Sequence, residues 1–176
     1  MRPKKNKNLI LIGYMGCGKS TIGIKAARAF DFRFMDTDQM IEEREGCSIA
    51  ELFAQKGEPY FRRCETELIQ ELIEEQKGMI IATGGGLPME EANRPLLKEL
   101  GTVVYLKCCT ETLVSRLKGD TRRPLLAEGE LEEKVKTMLK LREPVYEAVA
   151  DVVIETDENS FYRTICILEN IFKEKR

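Results

Sequence analysis

The chain has 176 residues, of which 43% are hydrophobic and 33% are charged. This length and composition are typical of one globular domain, so we expect residues 1–176 to fold as a single unit. The net charge of −2 gives no indication of a nucleic-acid partner, and the apolar run Leu9–Ile12 is too short to span a membrane.

Histidine and cysteine usage narrows the possible chemistry. The chain has no histidine, which removes the commonest general base and metal ligand. Its six cysteines form no C-x-x-C pair and no signal peptide is visible, so we expect reduced thiols in a cytoplasmic protein. We also expect a monomer. A redox role for Cys17, Cys108 or Cys109 stays open.

Short apolar runs alternate with helical stretches along the chain. The predicted strands are Leu9–Ile12, Phe32–Met35, Met79–Ala82, Val103–Leu106 and Val152–Ile154. Their apolar residues are continuous rather than alternating, which indicates strands that are covered on both faces and a parallel sheet. We therefore predict an α/β protein with three α/β/α layers and a five-stranded parallel sheet, whose ligands gather at the carboxyl ends of the strands.

The intervening segments show apolar residues at helical spacing. The clearest sets are Ile22, Ala26 and Phe30 after the first strand, and Phe161, Ile165, Leu168 and Phe172 near the C-terminus. Two segments break the alternation. Residues from about 37 to 76 are predicted to form a helical, substrate-binding insertion, and residues from about 119 to 129, which carry arginines between glycines, are typical of a mobile lid.

The segment after the first strand matches the P-loop pattern G-x-x-x-x-G-K-[ST] in full, at Gly13, Gly18, Lys19 and Ser20. In a P-loop fold the glycines let backbone amides surround a phosphate, and the positive end of the next helix adds to them. We predict that Lys19 reaches the terminal phosphates of ATP and that Ser20 binds one Mg²⁺ ion. The other predicted P-loop contacts of ATP are Gly16, Cys17, Gly18 and Thr21.

Two absences narrow the function of this P-loop. The guanine-reading motif [NT]-K-x-D is missing, and the third strand ends in Thr83 and three glycines rather than in the aspartate expected of a Walker B strand. The carboxylate for Mg²⁺ must therefore come from elsewhere. Asp36, at the end of the second strand, is the predicted supplier, acting through a water molecule because Mg²⁺ keeps part of its hydration.

Carboxylates and glycines after the second and third strands indicate an acceptor site. In an extended chain Asp36 and Asp38 would point the same way, so that one serves the metal and the other a substrate hydroxyl. Asp38 could instead cap the helix that follows. Gly84, Gly85 and Gly86 favour a close approach of the substrate to backbone amides, although a sharp turn into a helix near Met89 would also explain them.

Arginines complete the predicted site. Arg62 lies in the insertion, Arg122 and Arg123 lie in the predicted lid, and Arg142 lies near the C-terminus. Each could be an ordinary surface charge. Guanidinium groups are nevertheless the best-suited partners of carboxylate and phosphate, because they are planar and bind in a bidentate manner.

In combination these residues resemble the shikimate kinase family over nearly the whole chain. The matching motifs are G-x-x-G-x-G-K-S at 13–20, D-T-D at 36–38, Phe61-Arg62 with Glu65, G-G-G at 84–86, R-P-L-L at 123–126 and R-x-P-x-Y at 142–146. The resemblance implies that ATP phosphorylates the 3-hydroxyl of shikimate to give shikimate 3-phosphate, a step in aromatic amino acid biosynthesis.

The resemblance also implies residue roles. Arg62 and Arg142 would bind the shikimate carboxylate, and Asp38 would hold the ring hydroxyls with help from the amides of Gly85 and Gly86. Arg123 would move over the γ-phosphate as part of the lid. Arg116 would stack on adenine, with residues 156–159 on the other side of the base. Lys19, Asp38 and Arg123 are then the predicted catalytic residues, with Asp38 as the proton acceptor.

Two alternatives remain open from the sequence. One is another small-molecule kinase on the same scaffold, such as a gluconate or nucleoside monophosphate kinase. Arg62 and Arg142 favour an acid substrate, and the D-T-D segment at 36–38 favours a vicinal polyol over a nucleobase. The other is a non-catalytic, nucleotide-binding regulator, which we would expect to lack the residues of the acceptor site.

Overall fold

A computed structural model describes residues 8–75, 78–118, 131–157 and 159–174. At its centre lies one sheet of five strands: β1 Leu9–Ile12, β2 Arg33–Asp36, β3 Met79–Ala82, β4 Thr102–Lys107 and β5 Val152–Glu155. The order is β2-β3-β1-β4-β5, and every neighbouring pair is parallel. The predicted α/β class and parallel sheet are therefore confirmed, although β2 begins one residue later than predicted and β4 is one residue longer at each end.

In the described parts of the chain, eight α-helices connect and cover the strands. They are α1 Lys19–Phe30, α2 Thr37–Glu45, α3 Ile49–Lys56, α4 Glu58–Glu74, α5 Asn93–Leu100, α6 Thr110–Leu117, α7 Leu131–Val149 and α8 Phe161–Glu174, with a 3₁₀ turn at Leu87–Met89. Three of them, α2 to α4, lie between β2 and β3. None of the helices described is long and apolar enough to cross a membrane.

Burial explains why the strands form where the apolar runs occur. Every residue of β1 and β3 is buried, whereas the edge strands β2 and β5 are partly exposed. On α1 the predicted face is buried at Ile22 and Ala26, and α8 packs on it through Phe172, whose ring lies 6.4 Å from that of Phe30. Phe161 lies on the predicted apolar face of α8 but stays 44% exposed.

The topology places the loops that carry the motifs side by side. The chain leaves β1 toward β2 on one side of the sheet and leaves β3 toward β4 on the other, so its direction reverses between the adjacent strands β1 and β3. Ligands of parallel α/β sheets bind in the crevice at such a reversal. The P-loop follows β1 and the triple glycine follows β3, which places both at this crevice.

Candidate active site

The P-loop connects β1 to α1 and places Lys19 at the first position of the helix. Gly16 and Gly18 have positive φ values of 82° and 99°, in the left-handed region that glycine favours. The ammonium group of Lys19 donates hydrogen bonds to the carbonyl oxygens of Gly13, over 2.8 Å, and Tyr14, over 3.0 Å. The ammonium group of Lys19 thus lies over the P-loop, where its positive charge can contact a bound phosphate.

Asp36 links the P-loop to the start of α2. Its Oδ2 accepts a hydrogen bond of 2.8 Å from the Ser20 hydroxyl, and its Oδ1 accepts bonds from the backbone amides of Asp38, at 3.1 Å, and Gln39, at 3.4 Å. Asp36 is therefore the N-cap of α2. The alternative that Asp38 caps this helix is wrong.

The pair of Ser20 and Asp36 fits the chemistry of a magnesium site. It offers a hydroxyl and a carboxylate, the oxygen ligands that Mg²⁺ prefers. Within the parts of the chain that the structure describes, no three or more Asp, Glu, His or Cys side chains are grouped to hold a metal ion. A Mg²⁺ ion held at Ser20 and Asp36 would therefore take its other ligands from phosphate oxygens and water.

The Asp38 carboxylate lies beside Gly84 of the triple glycine. The extended geometry predicted for Asp38 is wrong, because the helix begins at Thr37. A Cβ on residue 84 would lie 2.5 Å from Asp38 Oδ1 and 2.9 Å from Glu65 Oε1. Only glycine leaves room for these two carboxylates at this point, and Thr37 Oγ1 accepts a bond of 2.9 Å from the Gly84 amide.

Glu65 is a fully buried carboxylic acid beside Asp38. Its Oε2 accepts a hydrogen bond of 2.7 Å from Arg62, and its side chain is 0% exposed. Burial raises the pKa of Glu65 to about 7; the positive charge of Arg62 opposes this rise, and the negative charges of Asp38 and Glu90 add to it. Glu65 therefore changes its charge near neutral pH, next to the predicted proton acceptor.

This raised pKa makes the stability of the protein depend on pH in a defined direction. The folded state holds the proton of Glu65 more tightly than an unfolded chain with the usual value of 4.5. The stability that Glu65 contributes is thus greatest below pH 4.5 and falls as the pH rises to about 7. We expect the melting temperature of Glu65→Gln, relative to that of the wild type, to increase between pH 5 and pH 8.

Thermal unfolding of both proteins across that range measures the effect. The matched control is Glu67→Gln, which removes a carboxylate from the exposed side of the same helix. Its melting temperature relative to that of the wild type should not change with pH. A Glu65→Gln difference that stays constant or decreases with pH would contradict the raised pKa of Glu65.

The other two glycines lie against the arginines. A Cβ on residue 86 would overlap Arg62 Nη1 and lie 2.6 Å from its Nη2, and a Cβ on residue 85 would lie 3.3 Å from Arg142 Nη1. The carbonyl oxygen of Gly85 accepts a hydrogen bond of 2.6 Å from the Tyr146 hydroxyl. The loop after β3 is therefore enclosed by one carboxylate pair and two guanidinium groups.

Arg116 and the segment after β5 lie on the other side of the P-loop. Arg116 Nη1 donates to the carbonyl oxygen of Gly16 over 3.0 Å. Asp157 accepts hydrogen bonds from the Cys109 amide, over 2.5 Å, and from the Cys108 thiol, over 3.3 Å. Burial raises the pKa of Cys108 to about 12, so this thiol stays protonated at neutral pH.

Some of the predicted site residues are not among those that the structure describes, and some residues of the site were not predicted. Arg122, Arg123 and the rest of the predicted lid, residues 119–129, lie outside the described residues. Thr37, Tyr146 and Glu65 contact the site although the sequence indicates no role for them beyond their place in a motif, and Glu58 contacts it without belonging to any of the motifs. The positions of Glu58 and Glu65, four residues before and three residues after Arg62 on one helix, are the signal that could have revealed both acids.

Comparison with known proteins matches the chain to one family. The model of the family described as shikimate kinase matches residues 15–173. A shikimate kinase of Pseudomonas fluorescens (strain Pf0-1) is 45% identical over 152 residues, which are 86% of this chain and 88% of the relative. A shikimate kinase of Thioalkalivibrio sulfidiphilus (strain HL-EbGR7) is 40% identical over 161 residues, 92% of this chain and 84% of the relative.

A solved structure matches over nearly the same extent. The shikimate kinase from Acinetobacter baumannii in complex with shikimate superimposes with a TM-score of 0.89 and a sequence identity of 37%. The match covers 98% of this chain and 96% of that chain.

Proposed function

Because the chain belongs to the shikimate kinase family, we propose that it transfers the γ-phosphoryl group of ATP to the 3-hydroxyl of shikimate. The product is shikimate 3-phosphate, in aromatic amino acid biosynthesis. The observation that supports this most is the arrangement at residues 84–86. Asp38, Arg62 and Arg142 meet there, at the same crevice as the P-loop.

The two guanidinium groups suit the carboxylate of the substrate. Arg62 lies against Gly86 and Arg142 lies against Gly85, so both reach the same short loop. Paired arginines bind a carboxylate through parallel N–H donors, which orients the acid as well as holding it. The backbone amides of Gly85 and Gly86 add hydrogen-bond donors for the substrate. Because neither residue has a side chain, the substrate can approach these amides closely.

The phosphate side is assembled from the P-loop and Asp36. Lys19 places its ammonium group over the loop, ready to offset charge on the transferred group. Ser20, and Asp36 through water, would hold Mg²⁺, which would neutralise phosphate charge. Gly16, Cys17, Gly18 and Thr21 complete our assignment of phosphate contacts, Arg116 is assigned to the adenine, and Arg123 is assigned to the γ-phosphate from the lid.

Asp38 is the residue that we assign as proton acceptor. Phosphoryl transfer depends mainly on positioning and on charge neutralisation, so a single well-placed base is sufficient. The chain contains no histidine, and Asp38 lies beside the loop that carries the substrate donors. A carboxylate at that position can take the proton from the 3-hydroxyl as the phosphoryl group arrives.

The experiment that tests the function is an assay of ATP consumption with shikimate, gluconate and nucleoside monophosphates as acceptors. We expect turnover with shikimate alone. Turnover with gluconate or a nucleotide instead would favour the other small-molecule kinases, and tight ATP binding with no turnover of any acceptor would favour a regulator.

Arg142→Lys separates binding of the acid from chemistry. Lysine keeps the charge and loses the planar fork, so we expect the KM for shikimate to rise about tenfold, equivalent to about 1.4 kcal/mol, with little change in kcat. The matched control is Arg163→Lys on α8, which should leave both constants unchanged. A drop in kcat at constant KM would assign Arg142 to the transition state instead.

We further propose that the enzyme acts as a monomer in the cytoplasm. All the site residues named above come from one chain, so the site does not need a second copy. All six cysteines are free thiols, as is usual in a reducing compartment.

A further inference from the structure

Arg62 is already paired with two carboxylates of its own helix. Its Nε and Nη2 both donate to Glu58 Oε1, over 3.1 and 2.7 Å, and its Nη1 donates to Glu65 Oε2 over 2.7 Å. Each nitrogen of the guanidinium group therefore has an acidic partner. A substrate carboxylate that approaches Arg62 meets one cation that two acids already share.

The two acids differ in how firmly they are held. The Glu65 side chain is 0% exposed, whereas that of Glu58 is 62% exposed and that of Arg62 is 19% exposed. Glu58 is also the first residue of α4, and it receives both donors on a single oxygen. Exposed ion pairs are weak because water competes for both partners, so Glu58 is the partner that another carboxylate can replace.

Glu58 has space into which it can rotate. It lines an open groove of about 550 Å³ along the outer side of α4, together with Arg63, Glu67 and Glu90. Arg63 offers a second guanidinium group in this groove. A displaced Glu58 carboxylate can therefore remain hydrated and close to a positive charge.

We propose that Glu58 is an internal competitor of the substrate: it pairs with Arg62 before shikimate binds, and the carboxylate of shikimate displaces it. This inference rests on the proposed function, because it requires Arg62 to bind the substrate carboxylate. Glu58 keeps the charge of the half-buried guanidinium compensated between turnovers. The exchange of one carboxylate for another weakens the net gain from binding the acid.

The test uses Glu58→Gln, which keeps the shape of the side chain and removes its charge. With shikimate varied at saturating ATP, we expect its KM to fall about two- to fivefold, the range that corresponds to an exposed ion pair. Calorimetric titration with shikimate should give the same factor in Kd. The methyl ester of shikimate has no carboxylate to displace Glu58, so its KM should not change.

The ester and a matched variant exclude simpler explanations. A purely structural effect of Glu58→Gln would change the constants of the acid and the ester alike. Glu67→Gln removes the same charge from the same helix and groove without touching a hydrogen-bond partner of Arg62, and it should leave the KM for shikimate unchanged.

Two results would overturn the proposal. If the wild type is active and Glu58→Gln has an unchanged KM for shikimate, Glu58 does not compete; if that KM rises, Glu58 instead supports Arg62 in its binding position. If the wild type neither binds nor phosphorylates shikimate, the proposed function fails, and this inference fails with it.

Discussion

Replacing Asp38 with asparagine should lower kcat with shikimate by at least about a hundredfold, the lower end of what a general base contributes. Asparagine has the same shape and can still hydrogen-bond to a hydroxyl, but it cannot take up a proton at neutral pH. The chain has no histidine that could substitute. The measurement is a coupled assay of kcat and of both KM values.

A second measurement shows whether the site of Asp38→Asn is otherwise intact. Calorimetry should give a Kd for ATP close to that of the wild type, because Asp38 lies at Gly84 and not at the P-loop. Glu43→Gln, an exposed change on the same helix, is the control and should keep full activity. A kcat near the wild-type value in Asp38→Asn would remove Asp38 from the role of base.

For Lys19→Ala we expect a loss of about 10²- to 10³-fold in kcat, the size found when one preorganised electrostatic donor is removed from a transition state. The ammonium group lies within 3.0 Å of the carbonyl oxygens of Gly13 and Tyr14, at the mouth of the loop. Charge spreads over the oxygens of the transferred group, and alanine leaves nothing there to offset it.

Steady-state kinetics with ATP varied measure this loss, and thermal unfolding checks that the loop still folds. Lys25→Ala provides the control, because it removes an exposed lysine from the same helix. A kcat within tenfold of the wild type would show that Mg²⁺ and the arginines neutralise the charge without Lys19.

The fold could be predicted from local patterns because each strand carries its own apolar run. The runs in β1 and β3 are apolar at every position, as is typical of strands that are covered on both faces. The edge strand β2 was placed one residue early, because a partly exposed strand has a weaker apolar signal. Phe161 lies on the predicted face of α8 but stays 44% exposed, with the ammonium group of Lys25 over its ring, because spacing identifies the face of a helix but not what covers each residue of that face.

The directions of the side chains in the site could not be predicted in the same way. The sequence predicts an extended chain at Asp38, yet the hydrogen bonds that Asp36 accepts cap a helix that begins at Thr37, and Asp38 lies in its first turn beside Gly84. Capping bonds decide where this helix begins. The residue types do not reveal it, because aspartate is favourable both as an N-cap and in the first turn of a helix.

The sequence alone predicts which residues form the site, because the P-loop, the D-T-D segment, the triple glycine and the arginines are recognisable by residue type and spacing. Only the tertiary structure decided what these residues touch. It brought β1 and β3 side by side, and it packed Gly84 against Asp38 and Glu65 and Gly86 against Arg62. The raised pKa of Glu65 follows from that packing, because the burial of its carboxylate and its closeness to Asp38 depend on neighbours that are distant along the chain.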